Sequence, residues 1–190
     1  MKEPATDTTP APAIGFLETG SIAKGIEATD AMLKKAQVEL LLTTIVPRGK
    51  YLIMIGGAVA EVEQSLGAGI AVASDSVVDH FLIQNADPQL APAIKGRVKV
   101  GEIDALGIIE TREVASAIYA GDAAVKAAAV SLIEARNQPG AKGLVVLAGD
   151  VGAVRAAVAA GVATIKKDGM LVAQVVIPLV HRALARSLTS

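Results

Sequence analysis

Hydrophobic and polar positions follow two different spacings along the first half of the chain. Short apolar runs at residues 13–17, 38–45, 51–55 and 76–83 have the length and β-branched content typical of strands. Between them, apolar residues recur every three or four positions, as on one face of a helix. The two predicted helical stripes are Ile22, Ile26, Thr29 and Leu33, and Val59, Val62, Leu66 and Ile70.

Local signals mark where these elements begin and end. The hydroxyl of Ser21 is suited to cap the first helix, and Pro47-Arg48-Gly49 predicts a turn between the second and third strands. A short terminal helix is expected after Pro88. The order β-α-β-β-α-β, followed by a small helix, indicates an α/β protein of the α+β, ferredoxin-like kind, with two helices on one face of a four-stranded sheet.

The same pattern occurs twice. Residues 13–19 recur at residues 105–111, an offset of 92 that holds without a gap to residue 71 and its match at 163. The second set of stripes is Val114, Ile118, Gly121 and Val125, and Val151, Val154, Val158 and Val162. We therefore expect two domains, at residues 13–96 and 103–187. The first twelve residues are polar and proline-rich, which predicts a disordered tail.

Composition narrows the possible functions. Hydrophobic residues make up 52% of 190 and aromatics only 2%, so domains this small should leave apolar surface that other subunits cover. The net charge of −1, without a basic stripe, argues against nucleic-acid binding. No apolar run is long enough to span a membrane. The absence of cysteine excludes disulfides and cysteine-ligated clusters.

Several motifs resemble those of the bacterial microcompartment shell domain. They are AIGFLET at residues 13–19, SIAKG at 21–25, DAMLK at 30–34 and GGAVAEV at 56–62, with AGDVGAV at 148–154 in the second copy. The resemblance covers both repeats and is strongest to the tandem-domain, trimer-forming class found in propanediol-utilisation-type compartments. It implies a flat homotrimer, a pseudohexameric tile that packs edge to edge with other shell proteins and has a central pore.

The resemblance also implies roles for particular residues. The loops between the second and third strands of each repeat would line the pore, and Lys34, Lys126 and His181 would lie at the tile edge. An arginine that the family usually has at this edge is replaced by Leu179, so edge packing is expected to be weaker or different. The implied pore-lining residues are Ile45, Val46, Pro47, Arg48, Gly49, Asn137, Gln138, Pro139, Gly140 and Ala141.

Threefold repetition of Arg48 and Lys50 would give the pore a ring of positive charge, which favours polar or anionic metabolites. Some tandem members hold an iron–sulfur cluster through a cysteine near Val46. This chain has no cysteine, so we expect no cofactor of that kind and no metal. The resemblance places the protein in the shell of a cytoplasmic microcompartment.

Catalysis is not expected. Glu18 with Glu110, and Asp30 with Asp122, arise in pairs by duplication, so these carboxylates are predicted to accept backbone hydrogen bonds rather than to act as acid and base. The two histidines, His80 and His181, do not align and have no partners at metal-ligand spacing. Two alternatives stay open: a regulatory small-molecule-binding protein of ferredoxin-like repeats, and an enzyme of that fold.

Overall fold

A computed structural model describes residues 13–140, 142–167 and 169–189. The predicted tail at residues 1–12 lies outside the described residues. The first repeat contains four strands and three helices in the predicted order. They are β1 (Ala13–Thr19), α1 (Ile22–Lys35), β2 (Glu39–Val46), β3 (Lys50–Gly57), α2 (Val59–Ala73), β4 (Val77–Ile83) and α3 (Leu90–Lys95).

The second repeat follows the same course. Its elements are β5 (Ala105–Thr111), α4 (Val114–Ala127), β6 (Ser131–Gln138), β7 (Lys142–Gly149), α5 (Val151–Ile165), β8 (Leu171–Ile177) and α6 (Arg182–Thr189). The short helix predicted after Pro88 is α3, and α6 is its counterpart in the second repeat. Ser21 Oγ accepts a hydrogen bond from the Lys24 N–H, which confirms the predicted cap of α1.

Each repeat forms one antiparallel sheet. The strand orders are β2-β3-β1-β4 and β6-β7-β5-β8, which is the ferredoxin-like arrangement expected from the sequence. The two sheets also share their irregularities. The register shifts between Leu40 and Leu42 in β2 and between Leu132 and Glu134 in β6, at positions related by the offset of 92. Duplication has therefore preserved the pairing in detail.

The long helices of each repeat lie on one face of its sheet, and glycine allows a close approach. A side chain at Gly15 would begin 2.9 Å from Val62 Cγ1, and one at Gly107 would begin 2.8 Å from Val154 Cγ1. Any Cβ at these positions would push the helix away from the sheet. The helix stripes at Val62 and Leu66, and at Val154, are buried as predicted.

The predicted stripe of α1 is wrong in part. The residues of α1 that are buried are Gly25, Ala28, Thr29 and Met32, whereas Ile26 and Leu33 are 55% and 41% exposed. Small residues let α1 lie close to its sheet, because a side chain at Gly25 would collide with Tyr51. The larger apolar side chains consequently point away from the domain.

The two repeats pack against each other through unlike surfaces. The face of the first sheet that carries no long helix lies against α4 of the second repeat. Phe16 stacks on Phe81, with ring centroids 4.6 Å apart, and Phe81 contacts the Tyr119 ring at 4.5 Å. One hydrophobic cluster runs through this junction, so α4 is buried on two sides: against its own sheet and against the first repeat.

Helix α3 extends the junction to the edge of the second sheet. The Gln89 side chain binds that edge twice: its Nε2 donates to the Val130 carbonyl, and its Oε1 accepts from the Leu132 N–H. Asp122 Oδ1 of α4 accepts a hydrogen bond from the Asp87 N–H at 2.8 Å. No helix in the described part of the chain is long and apolar enough to cross a membrane.

Candidate functional site

The first predicted pore loop is a tight turn between β2 and β3. Pro47–Gly49 forms a single 3-10 turn, with Val46 buried before it and Ile45 62% exposed. Arg48 has a φ of 69° and Gly49 a φ of 72°. A left-handed backbone costs a residue with a side chain about 1–2 kcal/mol, so Arg48 occupies a place that suits glycine better.

The second predicted pore loop connects β6 and β7. Asn137 and Gln138 are the last residues of β6, and Pro139 and Gly140 form the turn. Ala141 lies outside the described residues. Gly140 is the counterpart of Arg48 at the offset of 92, and its φ of 86° is also left-handed. The two turns therefore share a backbone shape but differ in charge.

The structure brings these two turns together. Both line one cavity of about 230 Å³, to which Pro47 and Arg48 contribute from the first turn and Gly140 from the second. Arg112 and Glu113, at the connection between β5 and α4, close the cavity from the second repeat. Four of the ten predicted pore residues, Val46, Pro47, Arg48 and Gly140, thus line one cavity at the junction of the repeats.

A lysine and a glutamate support the base of each turn. Lys50 Nζ lies 2.8 Å from the partly buried Glu18 carboxylate, and Lys142 forms the matching ion pair with Glu110. Glu18 and Glu110 were predicted to accept backbone hydrogen bonds; the structure instead pairs them with lysine. Lys50 is therefore neutralised locally, and Arg48 is the cation of the first turn that forms no ion pair among the described residues.

The predicted edge lysines are also held by carboxylates. Lys34 Nζ lies 2.6 Å from Asp30 and Lys126 Nζ lies 2.5 Å from Asp122, each one helical turn away. Lys34 is largely exposed, whereas the Asp122 carboxylate is buried at the junction between repeats, where it accepts a hydrogen bond from the Asp87 N–H. The prediction that these aspartates accept backbone hydrogen bonds therefore applies to Asp122.

The third predicted edge residue, His181, immediately precedes α6. Its Nδ1 accepts a hydrogen bond from the Ala183 N–H at 3.3 Å, and the residue is exposed. Leu179, close by, is 84% exposed and has a φ of 49°. Leu179 is therefore an exposed apolar side chain on a left-handed backbone, next to the predicted edge residue.

Sequence reasoning missed one buried charge. Glu134 of β6 lies on the face of the second sheet that α6 and the connection between repeats cover, and its side chain is 1% exposed. Its Oε2 accepts hydrogen bonds from Arg97 Nε and Arg136 Nε, each at 3.2 Å, while its Oε1 has no hydrogen-bond partner among the residues that the structure describes. The signal that could have revealed this buried charge was a glutamate within a strand that is otherwise partly apolar. The matching residue of the first repeat, 92 positions earlier, is Leu42.

The described residues hold no group of three or more histidine or acidic side chains that could bind a metal ion. His80 is exposed on β4, and His181 is at the far end of the chain. One phenol has an altered acidity: burial raises the pKa of Tyr119, and the negative charge of Asp79 raises it further.

Comparison with known proteins agrees with this geometry. The family described as the BMC domain matches residues 13–86 and again residues 105–180. The shell protein PduT of Citrobacter freundii is 42% identical over 93% of this chain and 97% of its own. The shell protein EutM of Salmonella typhimurium is 43% identical over 42% of this chain and 82% of its own, so one repeat corresponds to most of a single-domain relative.

A solved structure shows the same arrangement of both repeats. The crystal structure of a microcompartment protein from Desulfitobacterium hafniense DCB superposes with a TM-score of 0.88, at 48% identity, over 92% of this chain and 98% of that one. The chain thus belongs to the BMC domain family and carries the domain twice. Within that family it is a tandem-domain shell protein of a bacterial microcompartment, with a structural role.

Proposed function

We propose that three copies of this chain close into a flat tile with a central pore, and that the tile acts as a selective barrier rather than as an enzyme. The observation that carries the proposal is the unequal burial of two matched helices. The outer face of α4 is covered by the first repeat of the same chain, whereas the matching face of α1 is bare.

Matched positions show how much apolar surface is left uncovered. Ile118 of α4 is fully buried and its counterpart Ile26 of α1 is 55% exposed; Val125 is 7% exposed and its counterpart Leu33 is 41% exposed. Because the two domains share one fold, a neighbouring chain can pack on α1 in the way that the first repeat packs on α4 within one chain. The contact is head to tail, which closes into a ring when the rotation allows.

The second repeat offers the other half of that contact. Its sheet places Ile108 opposite Val175, at the positions where the first sheet has Phe16 opposite Phe81. Phe81 is covered by Tyr119 of α4, whereas Val175 is 45% exposed. The part of this sheet face around Val175 that α6 leaves exposed, and the bare α1 of the next chain, are thus complementary in the way that the two repeats already are.

A cavity at the edge of β2 supports the same assembly. It has a volume of about 560 Å³ and is lined by Val38, Leu41 and Ala91, among others. Val38 is the counterpart of Val130, whose carbonyl receives the Gln89 side chain in the second repeat. Six residues beyond the last residue of the fourth strand, Gln89 has Ala183 of α6 as its counterpart, so this cavity is where we place the start of α6 of the next chain.

In such a ring the β2–β3 and β6–β7 turns surround the axis, which makes them the pore lining. Arg48 would then occur three times near the axis and favour polar or anionic metabolites. At the rim, Lys34, Lys126 and His181 would contact neighbouring shell proteins. A lysine suits this position because its long stem can lie along a surface while its ammonium group donates to carbonyls.

The solution mass, measured by light scattering, tests the tile. We expect about 58 kDa, three times the 19.3 kDa of one chain, or twice that value if two tiles stack. Ile26→Glu places a charge in the proposed contact. The variant should have the mass of a monomer by light scattering and should be folded by circular dichroism. A control is Ala71→Glu on α2, because Ala71 and its counterpart Ala163 are both exposed. A monomeric wild-type protein would refute the tile.

A further inference from the structure

The cavity beside the pore turns is enclosed by charged side chains from both repeats. Lys50, Arg48 and Arg112 contribute positive charge, and Glu18 and Glu113 contribute negative charge. Lys50 and Glu18 neutralise each other as an ion pair at 2.8 Å. Arg48, Arg112 and Glu113 are left, so the cavity has one positive charge in excess.

The two arginines are held differently, and both retain free donors. Arg112 is anchored because its Nε donates to the Gly169 carbonyl at 3.1 Å, which leaves the terminal nitrogens of its guanidinium group available. Arg48 forms no hydrogen bond or ion pair through its side chain with any other described residue. A guanidinium group presents a planar pair of N–H donors that matches the two oxygens of a carboxylate.

The N-terminus of α4 adds to the positive potential of the cavity. Val114, its first residue, lines the cavity, and Glu113 at the cap position makes no side-chain hydrogen bond to the first turn. The matching helix α1 is capped by Ser21. The first N–H groups of α4 are therefore left without a side-chain acceptor, and they favour a negative charge nearby.

Duplication provides an internal comparison for this cavity. The Lys–Glu pair occurs in both repeats, whereas both arginines occur once. The counterpart of Arg48 is Gly140, and the counterpart of Arg112 is Gly20. Arg48 is retained although the backbone there is left-handed, a conformation that its glycine counterpart adopts without strain. Both arginines thus occur at the junction within the chain and are absent from the matching positions.

From these observations we infer that the cavity is a binding site for a small organic monocarboxylate, held between Arg48 and Arg112. One excess positive charge matches one carboxylate. The volume of about 230 Å³ lies below the range of about 300–1,000 Å³ of typical ligand pockets, so the ligand is small. The inference rests on the proposed function only for the position of the cavity beside a pore, since every group that forms it belongs to one chain.

The test is a titration of the full-length protein with acetate at constant ionic strength, in which ligand-observed NMR detects binding. Acetamide, which has nearly the same shape without the charge, is the matched probe. We expect acetate to bind and acetamide to bind at least about tenfold more weakly, because hydrogen bonds to a charged partner are the stronger ones. Equal binding of the two probes, or no binding of acetate, would overturn the inference.

Variants locate the site. Arg112→Gln and Arg48→Gly should each weaken acetate binding about tenfold. Arg48→Gly introduces the residue that the second repeat has in the same backbone conformation, so the fold should be retained. The control Arg155→Gln removes one positive charge from an exposed position on α5 and should leave acetate binding unchanged. Equal weakening by all three variants would show a general effect of net charge and refute the site.

Inorganic phosphate is the third probe, and tighter binding of phosphate than of acetate would overturn the assignment to a monocarboxylate. The result is separable from the test of the tile. A trimer that does not bind acetate refutes this site and leaves the tile standing. A monomer that binds acetate through both arginines refutes the tile and supports the site.

Discussion

Helices α1 and α4 occupy the same place in two copies of one fold, yet they have opposite surroundings. The outer face of α4 lies against the first sheet, with Ile118 fully buried, whereas the outer face of α1 exposes Ile26. Both isoleucines stand in the same local sequence pattern. The difference teaches that the outer face of this helix is apolar in both repeats; we propose that a neighbouring chain covers it in the first repeat, as the first repeat covers it in the second.

The largest effect is expected from truncating the matched isoleucines. Ile118→Ala should cost about 2–5 kcal/mol in the free energy of unfolding at every protein concentration, because it leaves a cavity at a junction within the chain. Ile26→Ala should lower stability in a way that depends on protein concentration, because the contact it weakens lies between chains. Urea unfolding at several protein concentrations measures both. Equal losses independent of concentration would contradict the comparison.

A smaller effect is expected where Gln89 meets the second sheet. Gln89→Ala introduces the residue of its counterpart, Ala183, and removes two hydrogen bonds to the strand edge, so it should cost about 1–3 kcal/mol. The reciprocal Ala183→Gln can form the same two bonds to β2 of the next chain. It should make the trimer more resistant to dilution, as measured by light scattering. No change in either variant would show that the junctions are not equivalent.

The smallest effect concerns alkaline pH at the junction within the chain. The pKa of Tyr119 is raised in the folded protein, so the folded state keeps its phenol proton where the unfolded state releases it. The stability from this group is therefore complete below the ordinary tyrosine pKa of 10.0 and is lost as the pH rises through the folded value. In the Tyr119→Phe variant, the midpoint of urea unfolding should fall less steeply with rising pH above about pH 10 than it does in the wild-type protein. Identical slopes would refute the role of Tyr119.

Much of the fold could be predicted from local patterns. The strands around the Pro47 and Pro139 turns and the helix stripe at Val62 follow from spacing and turn chemistry and were predicted in both repeats, whereas the cap at Ser21 was predicted in the first repeat alone. The stripe of α1 was misassigned because periodicity identifies apolar positions without saying which neighbour covers them. Gly25 and Ala28 face the sheet because they are small, a feature that a search for large apolar residues overlooks.

The candidate site was predictable only in part. The turn residues were found from the resemblance, and the structure shows that Arg48 and Gly140 line one cavity. The contribution of Arg112 could not be foreseen, since the packing of one repeat on the other brings it there. The same holds for Glu134, whose partner Arg97 comes from the connection between repeats and whose unpartnered Oε1 has no signature in the sequence.

The internal junction between the repeats has a consequence for how such a protein can change. In a ring of six identical domains, every substitution occurs six times, so a charge near the axis is introduced everywhere or nowhere. Fusion of two domains into one chain halves the number of copies of each substitution in the ring, from six to three. A ring of three fused chains can vary three positions while the other three stay constant, as the paired Arg48 and Gly140 already do. In the tile that we propose, duplication replaces a sixfold surface with an alternating one, in which one set of sites can acquire a ligand while the other keeps a glycine turn.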